Sequence, residues 1–442
     1  MAADLIANKT ASSTVSVVMN RSRPLPAALA AAALVLCLGG PASARPAWKL
    51  RLDRIVRGYE VGVAVAEDGR ILYAHRPRVM RAPASNQKLV LTMALYDRLG
   101  PSARLATSVA TRDVEGRVVE DDLWILGSGD PTVASDQAPN HLGVAPTRIS
   151  LLARRVAAAG VERIEGRVVG STGFFGRDWD APGWQPYVQA RFAPLPSALT
   201  FDGNAAGGTH IDDPELRAAR TLASELRSLG VEVRGAAVGR HPARQLQRIA
   251  TVHSPPLRQL TGYMNRESSN FFAEMLGKRL AVEVGDTPGT IAGAARALRS
   301  WARVRGVRTA SFDASGLSYR DRISPLGMAR LLGASEDEPW GRDLRAELPR
   351  PGQGTLGGRL SGLEIRAKTG THLNGDSALS GWVRLRRDGT WAEFSILSVG
   401  MPKSIEDEIV RTVARFARPR APEPIGGRLC TNWCVKARFD RP

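Results

Sequence analysis

Three short motifs carry chemistry in this chain: Ser85-Asn86-Gln87-Lys88, Ser268-Ser269-Asn270 and Lys368-Thr369-Gly370-Thr371. A serine three residues before a lysine puts a hydroxyl nucleophile and an amine base on one helical face. Ser-x-Asn adds a hydroxyl able to relay a proton and an amide able to hold a peptide. Lys-Thr-Gly-Thr adds a cation and hydroxyls suited to a terminal carboxylate. In this order they read as a serine acyl-transfer site. A lone Ser-x-x-Lys is weak, expected by chance about half a time in such a chain. The set weighs more, because the chain has 7 lysines against 54 arginines and two of the 7 fall in these motifs.

The elements that must position these residues follow from pattern and punctuation. Residues 60–66 and 70–75 alternate around Glu67-Asp68-Gly69, a β-hairpin signal with Asp-Gly at the turn. After Pro83 a helix starts near Ser85 and stops at Gly100-Pro101. Ser85 then sits at a helix N-terminus, where unpaired N–H groups favour developing negative charge. From 106 to 248, short strands (107–111, 122–126, 165–169) alternate with helices (148–159, 214–229), separating the first motif from the second. Residues 257–264 and 269–284 read as helices with the second motif at their junction. Residues 363–368 read as the strand that carries the third. A hairpin (380–386, 390–399) turns at Arg387-Asp388-Gly389, an amphipathic helix covers 405–416, and a Pro/Gly/Arg-rich tail follows from Arg418.

With 442 residues and 43% apolar content, the chain can bury a large core in two or three domains. Residues 1–44 read as a signal peptide: Arg21 and Arg23, an apolar run at 25–38, and the small-residue site Ala42-Ser43-Ala44. The run is too short to span a bilayer as a mature helix, and an uncleaved anchor is the alternative. Leu36 before Cys37 is too large for lipid attachment. Cys430 and Cys434 remain, either as a small local disulfide of the tail or as free thiols. No metal site is expected there, since no histidine is near and two thiolates are too few ligands. The formal charge is +18, or +16 for residues 45–442. That favours anionic surfaces. The arginines are spread along the chain, with no nucleic-acid module or aromatic-interleaved basic patch. No nucleic-acid partner is expected, and a general Arg-for-Lys bias accounts for the charge equally well.

Ala84-Ser85-Asn86-Gln87-Lys88, Gly129-Asp130-Pro131-Thr132 and Ala181-Pro182-Gly183-Trp184 extend the pattern. So do Asp313-Ala314-Ser315-Gly316-Leu317-Ser318 and Gly354-Thr355-Leu356. With the three motifs, they resemble the penicillin-binding-protein type-4 family of D-alanyl-D-alanine carboxypeptidase/endopeptidases. The resemblance covers nearly the whole mature chain, to residue 417, and its long insert sets the chain apart from class A β-lactamases. It implies an α/β fold of the penicillin-binding-protein and serine β-lactamase type: an antiparallel sheet flanked by helices, an all-helical subdomain and an inserted α+β domain. The expected organisation is a signal peptide 1–44, a catalytic domain in two parts (45–105 and 249–420), an insert 106–248 and a flexible tail 421–442.

By that resemblance Ser85 is the nucleophile and Lys88 its base, with a pKa lowered by partial burial and by the like charge of Lys368. Ser268 passes the proton to the leaving nitrogen and Asn270 holds the substrate amide. Lys368, Thr369 and Thr371 take the terminal carboxylate, while Gly370 keeps the strand bare where substrate lies close. The N–H groups of Ser85 and Thr371 form the oxyanion hole. Arg320 matches a family side-chain contact. No metal and no cofactor are implied. Plain structural roles compete: an N-cap for Ser85 or Asn270, a solvated lysine for Lys88, a simple edge strand for 368–370. Asp130 and Asp313 read as turn holders, and His372 follows the third motif without a part in the mechanism.

Two departures stand out. The family usually places a further small domain after the position of Asn204, where this chain has only a short link from Ala205 to Asp212-Asp213-Pro214. Members often carry an Asp soon after the Pro-Gly-Trp turn to read the free amino end of diaminopimelate, and residues 185–192 hold no acid. The expectation is an exported, extracytoplasmic DD-peptidase for D-Ala-D-Ala ends of peptidoglycan, with β-lactams acylating the same serine. Cleavage of D-Ala cross-links stays open. An esterase or β-lactamase on this scaffold lacks an obvious deacylating Glu. A non-catalytic cell-wall binder is at odds with three intact motifs.

Overall fold

A computed structural model describes residues 45–138, 143–240 and 245–417. Cys37, Cys430, Cys434 and the segments expected to be a signal peptide and a flexible tail lie outside the described residues.

Five strands form one antiparallel sheet: β1 (Glu60–Glu67), β2 (Arg70–His75), β3 (Ile365–Thr371), β4 (Asp376–Arg384) and β5 (Trp391–Val399), in the order β3-β4-β5-β1-β2. An N-terminal hairpin is therefore completed by strands from the far end of the chain. β1 pairs with β5 from Glu60↔Val399 to Ala66↔Glu393. Both expected hairpin turns are present, but two strands are longer than the sequence suggested. β3 runs through the third motif to Thr371, and β4 begins at Asp376 rather than near 380. The cause is one continuous ladder, in which Lys368, Thr369, Gly370 and Thr371 pair with Ser380, Leu379, Ala378 and Ser377.

Around the sheet lie helices α1 (Ala47–Ile55), α2 (Gln87–Leu99), α3 (Leu257–Glu267), α4 (Asn270–Glu283), α5 (Ile291–Val304), α6 (Pro325–Ser335) and α7 (Lys403–Phe416). Strand side chains alternate between the two faces. Leu379, Val383 and Ile396 join Leu52, Val410 and Val413 under α1 and α7. Their neighbours Ala378, Trp382 and Leu397 join Met93, Phe272 and Leu298 from the other helices. α2 is buried along one continuous stretch from Gln87 to Tyr96. It is therefore a central helix rather than a surface one.

A second sheet lies within residues 106–253. Its strands run in the order Ala236–Gly239, Val168–Ser171, Leu123–Gly127, Ala106–Thr111 and Gln247–His253. Helices Ile149–Ala158 and Pro214–Ser228 cover it through Leu152, Val156, Leu222 and Leu226. The first and last strands pair side by side, Ala106 with His253. Just beyond them Ser254 N–H donates to Leu105 O (2.8 Å), and Leu105 N–H donates to Ser254 Oγ (2.9 Å). The chain thus leaves and returns at one point. The closing strand runs on to His253, past residue 248. The short link after Asn204 is a small hairpin, Ala205–Ala206 with Thr209–His210.

A long stretch of this block lies against the helices of the first core. Lys278 of α4 is fully buried and donates to the carbonyls of Gly176 and Asp178, both at 2.8 Å, while pairing with the Asp178 carboxylate. Among the described residues, no helix is long and apolar enough to cross a membrane.

Phe272 lies fully buried in α4, two residues after the second motif, and packs on Tyr263 and Phe271. Phe272→Ala should cost about 3–5 kcal/mol of stability. Denaturant unfolding followed by tryptophan fluorescence checks this.

Candidate active site

Ser85 lies half-buried in a 3-10 turn, Ala84–Asn86, directly ahead of α2. The turn is held by close backbone approach from two sides. Ala84 has φ +44°, and Gly316 (φ +82°) packs so near that a Cβ there would lie 1.9 Å from the Ala84 oxygen. A Cβ on Gly370 would lie 2.8 Å from Pro83 O and 3.0 Å from Ser85 N. The bare side of Gly370 therefore faces the turn of the serine itself, where the sequence reading had put substrate.

Lys88 is fully buried, with three oxygen partners from three chain segments. Its Nζ lies 2.7 Å from Ser315 O, 2.8 Å from Asn270 Oδ1 and 3.2 Å from Ser85 Oγ. A carbonyl and an amide oxygen only accept, so each claims one N–H. A hydroxyl can donate as well as accept. In the neutral amine the lone pair is left pointing at the Ser85 hydroxyl, as a base must. Burial pulls the Lys88 pKa down to about 8, against the charges of Asp313 and Glu274, which pull it up. The expectation of partial burial plus repulsion from Lys368 is thus revised. Burial is complete, and the repulsion is felt at the other lysine. Lys368 sits well below its ordinary value, first through burial, then through the charges of Lys88 and Lys403.

The second motif bridges α3 and α4. Ser268 ends α3 in the left-handed region (φ +58°), and its Oγ accepts from Lys368 Nζ at 2.9 Å. Ser269, not Asn270, caps α4 by accepting from Phe272 N–H. That leaves the Asn270 amide for Lys88 and for the carbonyl of Phe192, to which its Nδ2 donates at 3.0 Å.

β3 is the sheet edge, and its polarity follows from the ladder. Ala367 N–H turns outward to Pro349 O, while His372 N–H turns inward to Asp376 O. In an antiparallel pair such groups alternate, so the N–H groups of Thr369 and Thr371 also face the open edge. Lys368 Nζ lies on that side too, donating to Thr369 O at 2.7 Å. Asn86 ties the serine's turn to this strand. Its amide donates to Lys368 O (2.9 Å) and accepts from Ser380 N (3.2 Å) and Ser380 Oγ (2.8 Å).

Behind Lys88 lies a group of buried acids. Glu274 accepts from the N–H groups of Ala314 (3.2 Å) and Ser315 (2.8 Å), fixing the backbone whose carbonyl holds Lys88. Burial and the nearby Asp313 push its pKa up to about 8. Asp313 accepts from Gly316 N, Ser318 N and Trp184 Nε1, all at 2.7 Å, so it holds a turn and joins it to the 181–184 segment. Asp130 also holds a turn, through Thr132 and Thr147.

The structure brings together Ser85, Lys88, Ser268, Asn270, Lys368 and Gly370, and puts Thr369 and Thr371 on the same edge. Arg320 is different: it is exposed, stacks on Phe312 at 4.5 Å and borders Gly183. The sequence reading gave no role to Glu274, Asn86 or the Phe192 carbonyl. Glu274 had a signal, as a charge set between the apolar residues 271–273 and 275–276. Among the described residues, no three His, Cys, Asp or Glu side chains converge as a metal site requires.

Comparison with known proteins bears on the family and the fold. The profile of the D-Ala-D-Ala carboxypeptidase 3 (S13) family matches residues 52–210 and 206–419. The chain is 31% identical over 355 residues to carboxypeptidase DacB of Mycolicibacterium smegmatis, covering 75% of this chain and 74% of the relative. It is 27% identical over 476 residues to the D-alanyl-D-alanine carboxypeptidase of Actinomadura sp. strain R39, covering 85% of each. In fold it resembles penicillin binding protein 4 (dacB) from Haemophilus influenzae, with TM-score 0.70, 19% identity, and 82% and 98% of the two chains covered. The same protein complexed with a β-lactam matches with TM-score 0.63, 20% identity and the same coverage.

Two outcomes follow from the geometry. If Lys88 must be neutral to accept a proton, acylation of Ser85 should accelerate as pH rises to about 8 and level off above it; stopped-flow rates from pH 6 to 10 check this. Gly370→Ala should slow acylation by about 10²-fold by displacing the Ser85 turn, read as the rate constant per titrated site.

Proposed function

The chain belongs to the D-Ala-D-Ala carboxypeptidase 3 (S13) family, and from that premise we propose that Ser85 is the serine it acylates. The observation that carries this is the Lys88 amine, with Asn270 and Ser315 as two partners and the Ser85 hydroxyl as the third. A D-Ala-D-Ala stem peptide would lie along the open edge of β3. Its scissile carbonyl oxygen would point to the N–H groups of Ser85 and Thr371, each such donor being worth about 10²–10³ in rate. Its terminal carboxylate would meet Lys368, Thr369 and Thr371, and Asn270 its peptide amide.

Lys88 takes the proton of Ser85 Oγ as the Oγ–C bond forms. The C–N bond then breaks as the proton held by Lys88 is passed on to the departing D-alanine nitrogen, with Ser268, hydrogen-bonded to Lys368, as the relay that gives one proton and regains one. Water hydrolyses the acyl-enzyme and restores Ser85. A β-lactam would acylate the same serine. Residues 1–44 would direct export to the cell-wall compartment. Arg320, beside Gly183, is our candidate for contact with the third residue of the stem peptide, since residues 185–192 offer no acid.

The test is labelled penicillin followed by intact-mass analysis, with D-alanine release measured on defined muropeptides. The expected result is one adduct per wild-type chain, none on Ser85→Ala, and D-alanine release lost with it. An undiminished adduct on Ser85→Ala would overturn the assignment. Cleavage of cross-linked dimers in the same assay would add endopeptidase activity.

A further inference from the structure

We infer that His372 is a positioning residue for this reaction, tying the N–H of Thr371 to the turn that carries Ser85. The inference rests on the reading of Ser85 as nucleophile and on the two N–H groups as the oxyanion site. His372 directly follows the third motif and is buried. Its Nδ1 lies 3.0 Å from Asp376 Oδ2 and its Nε2 lies 2.7 Å from Gly316 O. Both partners offer acceptor oxygens, so the ring is held between the two segments by its two nitrogens. Burial pushes the Asp376 pKa up, yet hydrogen bonds from His372 and Asn374 and the charges of His372 and Arg322 bring it below the usual range. One ring face packs on Tyr319, with centroids 4.6 Å apart and planes at 38°.

The link matters because of what Gly316 touches. Its Cα backs onto the Ala84 carbonyl, one residue before Ser85. Its carbonyl holds the ring one residue after Thr371. The two proposed oxyanion donors come from separate segments, a helix-entry turn and a sheet edge. Gly316 touches the neighbours of both, and His372 is its hydrogen-bonded connection to the sheet edge. β3 is the edge strand of its sheet, its ladder ends at Thr371↔Ser377, and the hairpin tip beyond carries Leu373 at 74% exposure, so the His372 ring adds a side-chain tie where the paired strand ends. A displacement of about 1 Å at a reacting centre costs about 10²-fold in rate. His372 need not touch substrate to control that distance.

The test uses full-length wild type, His372→Ala and His372→Gln, with active sites titrated by labelled penicillin. Acylation is then resolved into initial binding and the first-order step. His372→Ala should slow the first-order step per titrated site about 10–100-fold, with initial binding changed less than about threefold. His372→Gln, whose amide can still donate to Gly316 O, should recover at least about threefold of that loss. A purely structural role would lower the titre or the Tm and leave the step per titrated site within twofold of wild type. That outcome overturns the inference, as would equal losses in the two variants. Should His372→Ala not fold, the inference stands or falls on His372→Gln, which must be slowed more than twofold yet keep its binding step. Absence of any wild-type adduct would instead sink the underlying assignment of Ser85.

Discussion

A lysine amine buried away from water must have an oxygen in each direction it can hydrogen-bond, or the fold pays for stranding it. Much of the described structure around the site follows from that constraint on Lys88. Its three oxygens come from residues far apart in the chain, Ser85, Asn270 and Ser315, and each needs its own support. Ser315 is held by Glu274 through the N–H groups of 314 and 315. Asn270 is free for Lys88 because Ser269 takes the capping role. Gln87, next to Lys88, donates to Ser311 Oγ at 2.8 Å and so binds the helix to the same loop. Burial that would be a liability for an ordinary lysine is what brings the pKa of this one down to about 8.

Close backbone approach is the second requirement. A helix entry, a sheet edge and a loop meet at Ser85, and glycine is needed at Gly316 and Gly370 because any Cβ there would strike main-chain atoms of the nucleophile turn. The block 106–253 adds to this junction. It lends the Phe192 carbonyl to Asn270, the Trp184 indole to Asp313 and the 176–178 backbone to buried Lys278. Through these contacts the block steadies residues on both sides of Lys88.

The sequence was most legible where local chemistry decides the structure. Asp-Gly turns located both hairpins, and Gly-Pro located the end of α2. The three motifs were legible because residue type and spacing are the whole signal. Less legible were features set by distant contacts. The start of β4 depends on a ladder with β3, which no local pattern announces. The end of the strand at His253 depends on pairing with Ala106, about 150 residues away in sequence. The cap of α4 is Ser269, where the sequence offers Asn270 as a plausible cap, because the two are neighbours of equal capping chemistry. Glu274 and Lys278, four residues apart in a buried helix, look like a pair, yet each is satisfied elsewhere.

The central claim is that Lys88 is a base because it is buried and its other partners are acceptors. The most direct measurement is the titration of its amine by NMR, with lysine labelled at the ε position and the signal assigned by Lys88→Arg. With 7 lysines in the chain, the spectrum is small enough to resolve. The account predicts a midpoint for Lys88 at about 8. A midpoint near the ordinary lysine value of about 10.4 would contradict it.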